Sequence, residues 1–308
     1  ALSACVALLL MTPESYINFM KSGRYAAAQL SNFFFSQKVD YFSEGFSAQP
    51  LLHTWSLGVE EQFYLFWPLL IYTCFRCFQS QKTPALSQPG TDESSGNRPA
   101  SSGTRQNITA AHRLDYRIGG VFFLLALISF WICYQLTTTS YNLAFYMFYT
   151  RAFEFCIGGG LALNILPALK SETANRIAGT AGLIMLGYSF LFIGEEYSGR
   201  SFLQFGVLVP CIGSGLIIHA HNRKSVANRL ISTRFPVYVG KISYSLYLYH
   251  WPVIIFWKLF SNHRSLEGPE SAVIILVSFL LATLSYFFIE QPARKGSWAH
   301  WKPIVSAA

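Results

Sequence analysis

Charged residues are scarce in this chain, which argues against most classes of soluble protein. Only 12% of its 308 residues are charged, compared with roughly 25% in ordinary soluble domains. Hydrophobic residues make up 52% and aromatic residues 17%, and the apolar residues gather in runs about as long as a bilayer is thick. Mean hydropathy is only +0.33 because the polar stretch 79–112 dilutes these runs. The composition therefore indicates an integral membrane protein.

The sequence also lacks the short motifs of several enzyme classes. It contains no G-x-x-x-x-G-K-[ST] phosphate loop, no G-x-S-x-G nucleophile elbow and no H-E-x-x-H zinc motif. Neither ATP-driven transport nor soluble hydrolase chemistry is therefore indicated. The six cysteines form no regular framework, so we interpret them as small apolar packing residues. We expect no metal site.

The net charge of +8 does not predict a nucleic-acid partner, because such binding needs a basic patch on a folded face. The basic residues lie instead in short clusters between apolar runs. Segments 76–117, 170–176, 221–241 and 294 onward hold 16 of the 23 Lys and Arg residues, and the other side holds 7. The positive-inside rule then predicts that these four segments face the cytoplasm and that 32–56 faces outside. The lipid bilayer is the expected partner.

The fold class predicted from the apolar runs is all-α, a polytopic transmembrane helix bundle of about eight segments. The predicted spans are a partial helix at 1–11 followed by 57–78, 118–136, 151–169, 177–194, 202–219, 237–260 and 272–290. Because the chain starts inside an apolar run without a signal-peptide pattern, we expect a fragment of a longer protein. Segment 79–112 cannot bury enough apolar surface to fold, so it is predicted to be a disordered cytoplasmic loop.

The first polar group precedes and begins the span at 57–78. It reads Leu52-His53-Thr54-Trp55-Ser56-Leu57-Gly58-Val59-Glu60-Glu61-Gln62-Phe63-Tyr64. Because the wholly apolar part is too short to cross a bilayer, the helix must start near Leu57 and draw Glu60, Glu61 and Gln62 into the membrane boundary. Acidic residues can merely favour a helix start, but ionisable groups inside a membrane are candidates for function. We interpret this group as functional.

A second group, Arg151 and Glu154 followed by Gly158-Gly159-Gly160, has two open interpretations. Residues three apart share a helix face and can pair, and glycines allow close approach of a neighbouring helix or a ligand. A structural ion pair and a role in a site are equally compatible with this pattern.

A third group lies in the span at 237–260. Ser243, Tyr247 and His250 fall at i, i+4 and i+7, which makes one polar stripe on an apolar helix. Hydroxyls ending in an imidazole suit binding of a polyhydroxyl or carbonyl ligand, or proton transfer. Tyr244, Tyr249 and Trp251 are interpreted as interfacial aromatic packing.

The last polar residue of the final span is Glu290. A carboxylate near a helix C-terminus is disfavoured by the helix dipole, so we expect a partner, Arg294 or Lys295. We interpret this pair as a structural anchor.

Taken together, these motifs resemble those of the acyltransferase-3 family of membrane O-acyltransferases, which modify surface polysaccharides. The resemblance lies in the long motif at 51–64, in Arg151-x-x-Glu154 leading to glycines, in Ser243-Tyr244-Ser245-Leu246-Tyr247-Leu248-Tyr249-His250-Trp251-Pro252, and in Ile289-Glu290-Gln291-Pro292-x-Arg294. It covers essentially the whole chain except 79–112. We therefore assign 1–295 to one acyltransferase-3 transmembrane domain and 296–308 to a C-terminal tail.

The resemblance implies a bacterial inner-membrane enzyme with about ten helices, of which the first two have no counterpart here. In the family those two carry an essential arginine and a catalytic histidine, so the fragment alone is expected to be inactive. The implied donor substrate is cytoplasmic acyl-CoA, usually acetyl-CoA, with no permanently bound cofactor. The implied acceptor is a carbohydrate hydroxyl outside the cytoplasm, for example on lipopolysaccharide O-antigen or exopolysaccharide. A periplasmic SGNH-type domain is a further expected partner.

Site roles follow from the resemblance and from the residue types. The expected catalytic residues are His53, Glu60, Glu61 and His250. The expected substrate-binding residues are Trp55, Ser56, Gln62, Tyr64, Arg151, Glu154, Ser243 and Tyr247. Two other functions stay open at this point, a polysaccharide transporter or flippase and a non-catalytic membrane scaffold, because both also place polar residues inside a membrane bundle.

Overall fold

Every regular element that the structure describes is helical. The computed structural model describes residues 2–37, 49–79, 101–163, 165–193, 202–220, 225–261 and 266–295. Its α-helices are α1 (Leu2–Leu10), α2 (Pro13–Ala27), α3 (Ser31–Ser36), α4 (Trp55–Gln79), α5 (Ser101–Thr139), α6 (Tyr141–Tyr146), α7 (Phe148–Ala162), α8 (Glu172–Phe192), α9 (Leu208–His219), α10 (Val226–Ile231), α11 (Arg234–Ser261), α12 (Gly268–Ser285) and α13 (Gln291–Arg294). A 3-10 turn covers Leu52–Thr54, and π-helical turns cover Phe202–Gly206 and Tyr286–Glu290.

The all-α prediction is confirmed for the described residues, and each predicted span contains a helix. Three differences stand out. Helix α7 ends at Ala162 rather than near 169, and α5 begins at Ser101, so residues 101–112 of the predicted loop are helical. Helix α2 was not predicted, because its polar and charged residues interrupt the apolar pattern. The rest of the predicted loop, 80–100, and the tail at 296–308 lie outside the described residues.

Two helical stretches in the described ranges are long and apolar enough to cross a membrane, Tyr116–Thr139 and Gly268–Arg294. The apolar helix Leu208–His219 is shorter. A bundle of about eight membrane segments therefore stays a prediction.

Helix starts follow ordinary capping chemistry. Thr12 caps α2 with Pro13 in the first turn, and Ser171 caps α8. Helix α12 begins with a capping box in which Glu267 and Glu270 each accept a backbone N–H of the other residue. These contacts satisfy amide groups that a helix leaves unpaired at its N-terminus.

The chain divides into two compact units, of which the first comprises 1–59 and 228–308. Its centre is the pair α11 and α12, where Ile242, Ala282 and Tyr286 form a buried cluster. The Tyr238 and Thr283 hydroxyls are 2.6 Å apart across this pair. Helix α1 also packs against α11.

The second unit comprises 60–227. Trp67 of α4 stacks on Phe122 of α5, with ring centroids 4.5 Å apart and planes inclined by 10°. The Trp67 ring also lies against Gly159 of α7, where an added Cβ would stand 2.0 Å from the indole. A glycine is therefore required at 159, and the prediction that this glycine run permits close approach is confirmed there.

Candidate active site

The 3-10 turn at Leu52–Thr54 and the middle of α11 meet through one tyrosine. The Tyr247 hydroxyl donates a hydrogen bond to the His53 carbonyl oxygen at 2.5 Å. The Ser56 Oγ lies 2.5 Å from the same hydroxyl. Because a phenol has only one proton to donate, Ser56 is the donor in this second bond. Tyr247 thus joins two motifs that are more than 190 residues apart in sequence.

The orientation of His250 follows from its hydrogen bonds. Its Nδ1 lies 2.8 Å from the Tyr247 carbonyl oxygen and 3.2 Å from that of Leu246. Both neighbours are acceptors only, so we assign the proton to Nδ1. The Nε2 of the neutral ring then carries a lone pair and can accept a proton.

His53 is buried against the same pair of residues. Its side chain is 5% exposed, and its ring centroid lies 5.3 Å from that of Tyr247 and 5.7 Å from that of His250. Neither ring nitrogen makes a hydrogen bond of good geometry within the described part of the chain, although the backbone of Pro50 and Leu248 lies close enough to favour the protonated ring. Burial, followed by the charge of His250, lowers the pKa of His53 to about 3. His53 is therefore neutral at pH 7.

Contacts on both sides hold the turn that carries His53. The indole Nε1 of Trp251 donates to the Gln49 carbonyl oxygen at 2.9 Å, so this residue does more than provide aromatic packing. On the other side, the Ser31 Oγ donates to the Thr54 carbonyl oxygen at 2.7 Å. With its backbone tied to α3 and α11, the turn presents His53 to α11 in one orientation.

Gly58 allows the first turn of α4 to approach the end of α2. A Cβ at this position would stand 3.0 Å from the Gln29 carbonyl oxygen and 3.1 Å from the Asn32 Oδ1. Gln29 itself has a φ of 57°, the left-handed conformation in which helices commonly end. The glycine in the first motif is therefore explained by packing.

A cavity of about 420 Å³ adjoins this site between α11 and α12. Its lining residues are Ser243, Leu246, Tyr247, His250, Ile254, Ile274, Ile275, Ser278 and Phe279. The predicted stripe of Ser243, Tyr247 and His250 therefore faces one space, which confirms that the three share a face. Ser278 was missed by sequence reasoning, because a lone serine inside an apolar run carries no signal.

A second cavity, of about 310 Å³, lies within the other unit. Apart from His219, the residues that line it are almost all apolar, among them Phe122, Ile157 and Leu216. Because binding sites combine an apolar wall with several convergent polar groups, the cavity beside His250 is the stronger candidate.

The remaining residues of the first motif begin the second unit. Glu60 and Gln62 are half-buried, whereas Glu61 and Tyr64 are exposed. Trp55, at the start of α4 in the first unit, is half-buried. The site roles of these five residues stay predictions.

The predicted pairing of Arg151 with Glu154 is confirmed. The guanidinium is 2.7 Å from the Glu154 Oε1, and its Nε donates to the Phe145 carbonyl oxygen at 3.2 Å. The guanidinium carbon lies 5.1 Å from the centroid of the Phe145 ring. Arg151 is only 7% exposed, so these contacts offset the cost of burying its charge. A structural role is established, and a role in substrate binding stays a prediction.

Glu290 has the partner predicted for it and a second one. Its Oε1 accepts from Arg294 at 3.3 Å, and its Oε2 accepts from the Ser245 Oγ at 2.9 Å. The carboxylate thus ties the π-helical turn to α11, which confirms the interpretation as an anchor.

The Tyr247 contacts predict a measurable coupling. Tyr247→Phe leaves two groups without their partner and is expected to cost about 1–3 kcal/mol of unfolding free energy, whereas Ser56→Ala is expected to cost about 1 kcal/mol. The double variant should be little worse than Tyr247→Phe alone, because both changes remove the same bond. Thermal unfolding of the detergent-solubilised protein measures this, and strictly additive losses would show that the two hydroxyls do not interact.

Comparison with known proteins identifies the family of this chain. A profile of the acyltransferase-3 family, described as an acyltransferase domain, matches residues 3–289. O-acetyltransferase OatA of Staphylococcus aureus strain NCTC 8325 / PS 47 is 28% identical over 309 residues, which cover 94% of this chain and 44% of that protein. OatA of strain MRSA252 gives the same values. The chain thus spans less than half the length of these curated relatives, and no solved structure matches it. Since the family profile covers nearly the whole sequence, the chain belongs to the acyltransferase-3 family, whose members are membrane proteins.

Proposed function

We propose that this domain transfers an acyl group, in the first instance acetyl, from cytoplasmic acyl-CoA to a hydroxyl of an extracytoplasmic carbohydrate. Family membership and the O-acetyltransferase names of the relatives support acyl transfer. The observation that carries the proposal is the meeting of His53, Tyr247 and His250, because it joins two separate family motifs in one site beside a cavity.

The chemistry assigned to His250 is general base catalysis. As the acceptor oxygen attacks the thioester carbonyl, Nε2 of His250 takes the hydroxyl proton. The new C–O bond forms, the C–S bond breaks, and coenzyme A leaves as a thiolate that regains this proton. The Nδ1–H bond to the Tyr247 carbonyl keeps the ring in the tautomer that this step needs.

Other residues are assigned supporting roles. Tyr247 and Ser56 hold the turn that carries His53. We assign Glu60 and Glu61, with His53, to the acceptor entrance. The residues proposed to contact substrate are Trp55, Gln62, Tyr64, Arg151, Glu154 and Ser243.

The proposed setting is the bacterial inner membrane, crossed several times. The apolar stretches Tyr116–Thr139 and Gly268–Arg294 and the 16-to-7 distribution of Lys and Arg support this setting. A separate or fused SGNH-type domain is a proposed partner of the transferase.

The experiment compares surface glycan from cells with and without the gene by NMR. We expect O-acetyl signals to disappear while the polymer remains intact and exported. Loss of the polymer itself would contradict the proposal and favour a transporter, and an unchanged glycan would favour a non-catalytic scaffold. Transfer of label from radioactive acetyl-CoA in membrane vesicles checks the identity of the donor.

A further inference from the structure

Ser278 in α12 is a buried hydroxyl without a partner. Its side chain is 3% exposed, and its Oγ makes no hydrogen bond within the described part of the chain. Leaving a buried hydroxyl unpaired is unfavourable, so a residue of this kind calls for an explanation. It lines the cavity that also contains His250.

Three other buried helical hydroxyls in this chain behave differently, although the Ser261 Oγ at the end of α11 also lacks a partner in the described ranges. Ser22, Thr137 and Thr150 are buried, and each donates to the carbonyl oxygen three residues earlier at 2.6–2.7 Å. Inside a helix, a serine or threonine hydroxyl usually donates its hydrogen bond to a backbone carbonyl of the preceding turn in this way. Ser278 does not make it, which leaves its proton free for a ligand.

The remaining polar groups of the cavity are already engaged. Tyr247 donates to the His53 carbonyl oxygen, Ser243 donates to that of Gly240, and the Nδ1–H of His250 bonds backbone oxygens. Among the lining side chains, the donor left for a bound molecule is therefore the Ser278 hydroxyl.

The lining also indicates the chemistry of the ligand. The walls are aliphatic and aromatic, with Leu246, Ile254, Ile274, Ile275 and Phe279, and none of the described lining residues is a carboxylate, a lysine or an arginine. A sugar or a nucleotide would leave several hydroxyls or phosphates unpaired on these walls. The acyl end of acyl-CoA presents one thioester carbonyl flanked by a methyl group and by the sulfur and methylene carbons of the cysteamine unit, which matches one free donor in an apolar space. Only this end would enter the cavity, and the amides and the nucleotide of coenzyme A would lie outside it. The volume of about 420 Å³ exceeds what an acetyl group alone fills.

We propose that this cavity is the acyl-donor site and that the Ser278 hydroxyl donates a hydrogen bond to the carbonyl oxygen of the bound thioester. The inference rests on the proposed acyl transfer and adds the donor's location and a binding residue. The bond orients the carbonyl carbon for attack and strengthens as its oxygen gains negative charge. The proton stays on Ser278 throughout, and no covalent bond to the serine forms.

The test uses the full-length protein in membrane vesicles with acetyl-CoA as donor. Ser278→Ala is compared with Ser271→Ala, which lies two turns earlier on the same helix and does not line the cavity. We expect Ser278→Ala to lower kcat/KM for acetyl-CoA by about 10- to 100-fold. We also expect it to abolish most of the thermal stabilisation that acetyl-CoA provides, with Ser271→Ala unchanged in both respects.

Stability of the ligand-free protein separates binding from structure. Removing an unpaired buried hydroxyl should leave Tm unchanged or raise it. A fall in Tm together with activity would mean that Ser278 is structural and would overturn the proposal, as would an unchanged kcat/KM. Full-length wild-type protein that shows neither acetyl transfer nor a thermal shift would overturn the proposed function as well.

Discussion

His250→Gln is expected to lower acyl transfer by about 10²–10⁴-fold, the usual contribution of a general base. Glutamine keeps much of the side-chain size but has no basic nitrogen, so the acceptor hydroxyl retains its proton. Within the described residues, the half-buried ring bonds backbone oxygens of its own helix, and the fold should therefore survive the change. Radiolabelled acetyl transfer by the full-length protein in vesicles, normalised to protein in the membrane, gives the measurement.

His219→Gln serves as the control for this variant. His219 ends α9 in the second unit and lines the apolar cavity rather than the one beside Tyr247. The acyl-transfer activity of His219→Gln should differ from that of the wild type by less than twofold. Equal losses in the two variants would show that histidine replacement harms the protein generally, and full activity of His250→Gln would exclude His250 as the base.

Acidification is expected to destabilise the protein through His53. Its pKa is about 3 in the folded protein, compared with an ordinary value of 6.5, so below pH 6.5 the unfolded chain binds a proton that the folded chain does not. Stability therefore falls by up to about 1.4 kcal/mol per pH unit, or about 2 kcal/mol between pH 6.5 and pH 5. The loss continues until the pH approaches 3 and is absent above pH 7.

His53→Gln should remove this part of the acid sensitivity. Thermal unfolding of both proteins in detergent across pH 5–8 measures the difference. At pH 7.5 the same variant should reach the membrane at normal levels and have lost acyl transfer. Identical pH slopes in the wild type and in His53→Gln would contradict the burial of a neutral ring at this position.

Local features were predictable because a helix sets the geometry of nearby residues. The Arg151–Glu154 and Glu290–Arg294 pairs follow from spacings of three and four, which place side chains on one face whatever surrounds them. The stripe of Ser243, Tyr247 and His250 follows in the same way. Helix α2 is not predicted from the sequence, because its charged residues, including Lys21 and Arg24, interrupt the apolar pattern from which membrane helices are predicted.

Apolar runs and motif spacing were enough to predict that the described part of the chain is helical, to indicate a membrane setting and to select His53 and His250 as candidates. Tertiary structure decided that the His53 turn contacts Tyr247, that the His53 ring is buried and neutral, and that Ser278 lines the same cavity as His250. The physical reason is that contacts between helices depend on how whole faces pack and how their connections run. A hydrophobic pattern of period 3.6 shows which face of one helix is apolar, but it does not determine how two helices are aligned against each other. The scarcity of charged residues therefore indicated a membrane protein, and the packing of the helices decided which of its few polar side chains contact one another.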